Sequence, residues 1–397
     1  YDFSNLDQEY SLLAADFSSD FESRNLAQEY SIGYRFFSKK VFAFVRAKYQ
    51  NTRLTTSTVF PNTFETNNTF NAILPFAMMK YTISRSKYFF LMYNSNTDNP
   101  SVNQLQTYLD NSNPIQLQIG NSNLKQNIEN RIMARYIHSN TKKATTFFTM
   151  ASYSFSNNYI GSTADFYRND TTIRGVDLEG GKVLNSFANL KGYRNARLFA
   201  SYGLPVKKIR SNLNLDGGIT YSRTPSLQNS LAILADSYLY ELGATLSSNI
   251  SEKIDFTLKG RAFINDIKNQ SNGANSTFLT QDYSAKIVVT LKKDIVLRTQ
   301  ASYQLNSGFT EELNVDFLLW NASIGKKIFK SKKGEIMISI FDVLGQNNLL
   351  SVTSNQTFVE QLQSKSLQRY GMLTFRYTFS QFQKPKEDPM RQFYRRR

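Results

Sequence analysis

The residue types that carry most enzyme chemistry are scarce in this chain. Cysteine is absent and there is one histidine, His138. Without Cys there is no disulfide, no thiol nucleophile and no Cys-based zinc site. A His-based metal site needs partner ligands, and no second His exists. His138 lies in R-I-M-A-R-Y-I-H-S-N, just before a basic turn, where a lone strand-end imidazole is ordinary. The acidic run D-T-T-I-R-G-V-D-L-E-G-G, from Asp170 to Gly181, offers the carboxylates and backbone oxygens that Ca²⁺ takes. Its spacing fits no calcium loop, and a solvated loop is the simpler reading. No G-x-S-x-G, P-loop or zinc signature occurs. The expectation is a protein that is not an enzyme, with no catalytic residue, metal or cofactor. Its ligand-binding residues are not legible, because loop side chains outside a known pose define no chemistry.

Charge is the next candidate. The formal net charge of +16 invites a nucleic-acid or anion-channel reading. Its placement argues against both. Seven short segments (38–40, 84–87, 140–143, 205–210, 250–253, 292–294 and 330–334) hold 15 Lys and Arg against two acids, Glu252 and Asp294. The tail, residues 381–397, holds six Lys and Arg against two acids. The rest of the chain is close to neutral. A path for polyanions needs basic residues along its entry, so no nucleic-acid partner is expected.

The elements that position these residues are strands. Lys253 to Ala262 reads K-I-D-F-T-L-K-G-R-A. Ile254, Phe256, Leu258, Gly260 and Ala262 share one face; Asp255, Thr257, Lys259 and Arg261 share the other. Asn212 to Ser222 does the same, setting Leu213, Leu215, Gly217, Ile219 and Tyr221 against Asn212, Asn214, Asp216, Gly218, Thr220 and Ser222. Tyr283, Ala285, Ile287, Val289 and Leu291 form another apolar face, as do Tyr30, Ile32, Tyr34 and Phe36. The opposite faces are small or polar, as a wet lumen requires. A soluble sandwich produces alternation too. Segments of about 10–14 residues, longer than the usual 5–6, fit tilted membrane crossings instead. Tyr202, Tyr221, Tyr238, Tyr303, Tyr377 and Phe379 at strand ends fit interfacial girdles. No run reaches the ~18–20 apolar residues of a transmembrane helix.

Short basic connections alternate with longer polar ones at 51–67, 96–127, 157–182, 223–235, 266–277 and 343–365; one connection, near Gly308, breaks the rule by being short. Outer-membrane barrels have short periplasmic turns and longer external loops. The expected fold is therefore an all-β, transmembrane antiparallel β-barrel of about 16 strands, counting a weak first strand near Tyr10, with both ends periplasmic. Residues 1–380 are expected to form one barrel domain in contact with outer-membrane lipid, and 381–397 a basic periplasmic tail. The sequence starts at Tyr1 rather than Met, so whatever preceded the pattern is expected to have been removed by processing or truncation.

Three stretches carry a family resemblance. The first is F-N-A-I-L-P-F-A-M-M-K-Y-T-I-S from Phe70, with Y-F-F-L-M-Y-N-S-N-T-D-N-P-S-V-N-Q-L-Q (Tyr88 to Gln106) and D-N-S-N-P-I-Q-L-Q-I-G-N-S-N-L-K (Asp110 to Lys125). The second is W-N-A-S-I-G-K-K-I-F-K from Trp320, leading into I-S-I-F-D-V-L-G-Q-N-N from Ile338. The third is the closing strand L-Q-R-Y-G-M-L-T-F-R-Y-T-F, Leu367 to Phe379. In order and spacing, across about Phe21 to Phe379, they resemble the Bacteroidota outer-membrane β-barrel family, relatives of the TonB-dependent receptors. Two features depart from it. Ser122 and Gln126 stand where G-N-P-x-L-x-P has its prolines, and a basic tail follows Phe379. The resemblance implies a barrel of about 22 strands with an N-terminal plug and a TonB partner, so that plug and further strands would lie upstream. The alternatives are a plugless diffusion pore, or a docking barrel for surface lipoproteins or secretion partners.

Overall fold

Alternation becomes pairing over most of the chain. The computed structural model describes residues 2–4, 9–12, 20–60, 64–110, 113, 115–173, 176–248, 253–269, 275–308, 316–346, 349–354, 359–364 and 367–379. Fifteen strands make the wall: β1 (Asp20–Phe37), β2 (Val41–Phe60), β3 (Phe64–Ser84), β4 (Lys87–Asp98), β5 (Asn127–Asn140), β6 (Thr145–Asn157), β7 (Arg194–Val206), β8 (Ser211–Gln228), β9 (Leu231–Ser248), β10 (Ile254–Asn269), β11 (Asn275–Thr290), β12 (Ile295–Ser307), β13 (Asp316–Ile328), β14 (Gly334–Phe341) and β15 (Tyr370–Tyr377). Each wall strand is antiparallel to the next, and the sheet curls into a barrel.

The register turns single-strand alternation into continuous belts. One outward row runs Leu204, Leu213, Leu246, Leu258, Ala285, Ala301, Trp320 across seven strands. The next runs Tyr202, Leu215, Ala244, Gly260, Tyr283, Tyr303, Leu318. Neither row holds a charge. No protein covers this face: Leu215 is 45%, Leu242 69% and Ile324 51% exposed. An uninterrupted apolar band of this kind belongs against hydrocarbon, where every backbone group must pair within the sheet. On β8 the band runs from Leu213 to Tyr221, about the nine residues a tilted crossing needs. Its upper edge is marked by the Tyr221–Tyr238 ring pair, with centroids 5.2 Å apart. Just beyond, Arg223 donates to both oxygens of Asp236, at 2.7 and 2.9 Å.

The strands outrun the membrane. β2 and β3 have 20 and 21 residues, and β8 and β9 have 18 each. This corrects two expected loops. The β2–β3 ladder continues to Thr58 opposite Phe64, so 51–67 is mostly strand. Residues 223–235 belong to the β8–β9 hairpin, closed by Asn229 and Ser230 at φ 48° and 61°, as a two-residue hairpin turn requires. Polarity misled the sequence reading because ladders also form in water. There the side chains bond across strands: Thr55 to Asn67 and Asn51 to Asn71, each at 2.7 Å. The expected 266–277 loop shrinks likewise, with β10 reaching Asn269 and β11 starting at Asn275. The loop at 343–365 carries a hairpin, Leu349–Ser354 with Val359–Ser364.

The strand expected near Tyr10 is not in the wall. Glu9–Leu12 pairs with Asp2–Ser4 in a separate two-stranded sheet, so among the described residues the wall has fifteen strands where about sixteen were expected. The described short basic segments fall at connections between strands; 250–252, the segment after Gly308 and the tail 381–397 lie outside the described residues. Among those described, β1 pairs only with β2 and β15 only with β14, so no hydrogen-bonded register joins β1 to β15. Side chains along this seam are open on both flanks: Tyr30 is 65%, Ile32 78%, Leu373 73% and Phe375 61% exposed.

Candidate functional site: the lumen wall and its loop cap

The inward face divides into two sectors, and the expectation of small or polar residues holds for only one. From β8 to β12 it is polar. The row Asn214, Thr245, Lys259, Ser284, Ser302 is typical. At the edge of this sector Arg197 donates to Glu241 at 2.6 Å, within a cleft of about 170 Å³ also lined by Phe199, Asp216, Arg261 and Phe263. Two glycines make room for its carboxylates. A Cβ on Gly218 would lie 2.4 Å from Glu241 Oε1, and one on Gly243 would lie 2.3 Å from Asp216 Oδ2. Gly243→Ala is expected to displace Asp216 and destabilise the barrel by about 1–3 kcal/mol, as overpacking does. Urea titration in detergent micelles checks this, with Gly371→Ala, whose added Cβ would meet nothing nearer than 3.8 Å, as the control that should change little.

From β1 to β7 the inward face is apolar, aromatic and cationic. One row reads Arg35, Phe44, Met78, Met92, Met133; the next reads Phe37, Phe42, Lys80, Phe90, Arg135, Met150, Phe199. Sequence reading missed this sector. The alternation that marks an inward face is clean on β8, β10 and β11, where polar residues fall on every second position. On β2–β4 both faces are apolar, which erases the period-2 signal.

Above this sector two long connections, 99–126 and 158–193, fold together as a cap. Its helix α1 (Val102–Leu105) starts with a capping box, Ser101 Oγ accepting from Gln104 N and Gln104 Oε1 accepting from Ser101 N. Leu105 and Leu124 bury against Leu54 of β2, with Phe70, Ile160 and Phe187 around them. Leu109, Leu117, Ile119 and Leu184 form a second core. Strand Gln116–Ile119 runs parallel to residues 183–185, and Tyr159–Tyr167 is antiparallel to Lys182–Leu190. Thr163 and Ala164 then pair with Leu227 and Gln228 of β8. The cap thus ties β2 to β8, six strands apart in the wall, and so spans a chord of one mouth of the barrel.

Side-chain amides lock the cap around Ser122 and Gln126. Asn189 donates to Lys125 O and Asn158 O and accepts from Lys125 N, at 2.7–3.0 Å. Asn121 donates to Phe187 O at 2.9 Å. Gly120 must be glycine, since a Cβ there would lie 2.2 Å from Gln106 O. Tyr159 and Tyr193 stack at 4.5 Å, and burial pushes both phenols above their ordinary range.

The residues singled out for chemistry are not brought together. His138 lies on β5 near its turn, opposite Lys87 and Phe147. The acidic run forms a small hairpin within the cap connection, Thr171–Ile173 with Val176–Leu178, and Asp170 Oδ1 accepts from Gly180 N at 2.8 Å. Among the described residues no three His, Cys, Asp or Glu converge as a metal set. The connection carrying this run extends to Arg194, not 182.

An apolar outer belt, a partly wet inner face and folded loops at one mouth define an outer-membrane β-barrel protein. The chain belongs to the outer membrane protein beta-barrel family, which it matches over residues 1–271. Neither the curated proteins nor the solved structures contain a match to it.

Proposed function

We propose that this chain forms the barrel of a transporter of the TonB-dependent receptor type, importing a ligand captured at its external loops through a plugged lumen. The observation that carries the reading is the cap. A diffusion pore needs an unobstructed outer mouth, whereas here two loops with their own buried cores reach from β2 to β8. The seam between β1 and β15 supports it as well, because an unpaired strand edge in hydrocarbon leaves backbone groups unsatisfied at several kcal/mol each. In this reading further strands of the full-length protein close the seam, a plug fills the lumen, and energy comes from a TonB complex in the inner membrane. A lumen walled by this many strands is too wide for side chains alone to fill. The long β2–β3 and β8–β9 hairpins standing beyond the membrane favour a second reading, a docking barrel for a surface lipoprotein. Planar-bilayer recording separates transporter from pore. Full-length native protein should conduct little, and removal of its plug should open a large steady conductance. Steady high conductance from the intact protein would favour a diffusion pore, and stoichiometric co-purification of a lipoprotein would favour docking.

A further inference from the structure

The apolar inner sector of β1–β7 carries cations that no acid among the described residues neutralises. Arg35 lies over the rings of Phe37 and Phe44 at 5.9 and 5.7 Å, and Arg46 over Phe76 at 5.4 Å. Lys80 lies over Tyr88 at 4.6 Å and Arg135 over Phe90 at 5.0 Å. Among the described residues these four cations form no salt bridge, while the nearby acids Glu29, Glu129 and Glu241 already pair with Lys48, Arg131 and Arg197. Arg46 Nε and Arg135 Nε are buried without a hydrogen-bond partner. Cations held over aromatic rings, beside four methionines, make a surface both sticky and positively charged.

We infer that this sector is the seat of a polypeptide lodged in the lumen, whose facing surface is apolar and bears carboxylates. Its composition is the first argument: aromatics, Met and Arg are the residues enriched at the centre of protein interfaces. Size is the second. Seven strands about 4.8 Å apart, used over about 20 Å of their length, give a patch of roughly 600 Å². That is close to the ~800 Å² one partner contributes to an ordinary interface. The third is continuity, since the inward faces of β2 and β3 just above are already covered by the cap core at Leu54 and Phe70. Cations spread through three adjacent rows, rather than gathered at one end, match a mosaic protein face better than the separate head and tail of a lipid. The inference rests on the plugged-lumen reading and adds a direction to it. The occupant adheres to β1–β7, and the polar wall of β8–β12 is left as the wet path for solute.

Photo-crosslinking in the native membrane tests this, with p-benzoylphenylalanine placed in the full-length chain at Met78 or Met133, or at Ser284 or Ser302 of the polar wall. The expected result is a peptide adduct at the first two positions, at least about tenfold above the second two. Arg46→Glu with Arg135→Glu should abolish it while the unboiled protein keeps the fast gel mobility of a folded barrel. Should that variant not fold, Arg46→Gln with Arg135→Gln should still lower the adduct at Met78. Equal adducts in both sectors, an adduct of lipid mass, no adduct, or indifference to the arginine changes would each overturn the inference. A closed channel in bilayers with no sector preference would refute the seat while sparing the transporter, and an open channel would refute the transporter itself.

Discussion

Leu215→Arg should destabilise the barrel by roughly 2–4 kcal/mol, while Asn214→Arg one residue away should cost far less. The two positions differ only in the face of β8 they occupy. Leu215 lies in the uncharged row with Tyr202, Ala244 and Gly260, about midway between the turn at Ser211 and the Arg223–Asp236 pair. A guanidinium there must shed water or distort the bilayer. Asn214 shares its row with Thr245 and Lys259, facing a polar lumen where an added side chain finds water. Urea titration in lipid vesicles, read by gel mobility of the unboiled protein, gives both values. Equal costs would mean that the outward and inward faces have been exchanged.

The second large effect concerns the cap. Leu117 is 1% exposed at the centre of a core with Leu109, Ile119 and Leu184. Leu117→Ala removes three heavy atoms from a packed site and should cost about 2–5 kcal/mol of the cap's stability. The wall ladder does not depend on that core, so the barrel should keep its gel mobility while the cap loosens. Trypsin cleavage at Lys125, which Asn189 holds in place, should then accelerate by at least about tenfold, the ratio given by ~1.4 kcal/mol. Ile115→Ala, at a side chain 64% exposed, should leave cleavage unchanged. Unchanged cleavage in the Leu117 variant would mean that the cap is not held by its core.

Much of the wall was legible in the sequence because one face meets lipid and the other water. From β8 to β12 that contrast falls on alternate residues, and the register confirms the faces assigned to Asn212–Ser222 and Lys253–Ala262. The short basic turns were legible because chain reversal takes so few residues that charge gathers there. Other features were hidden by the same physics. The Thr- and Asn-rich upper halves of β2 and β3 pair outside the membrane with polar side chains on both faces, so they resembled loops. The Arg and Met sector reads as a plain apolar run, since nothing local distinguishes an inward Phe from an outward one. The cap rests on contacts between segments about sixty residues apart, such as Asn121 with Phe187 and Lys125 with Asn189. The repeat in I-Q-L-Q-I, residues 115–119, was its one local sign.

Orientation in the membrane joins these strands to a function, and the absence of native cysteine makes it directly measurable. Cysteine is introduced singly at Thr171, in the cap hairpin, and at Ser331, in the basic turn between β13 and β14, and intact cells are treated with a membrane-impermeant maleimide. Thr171→Cys should be labelled, and Ser331→Cys should be labelled only after the outer membrane is permeabilised. Labelling of Ser331→Cys on intact cells, with Thr171→Cys protected, would place the basic turns outside and contradict an outer-mouth cap.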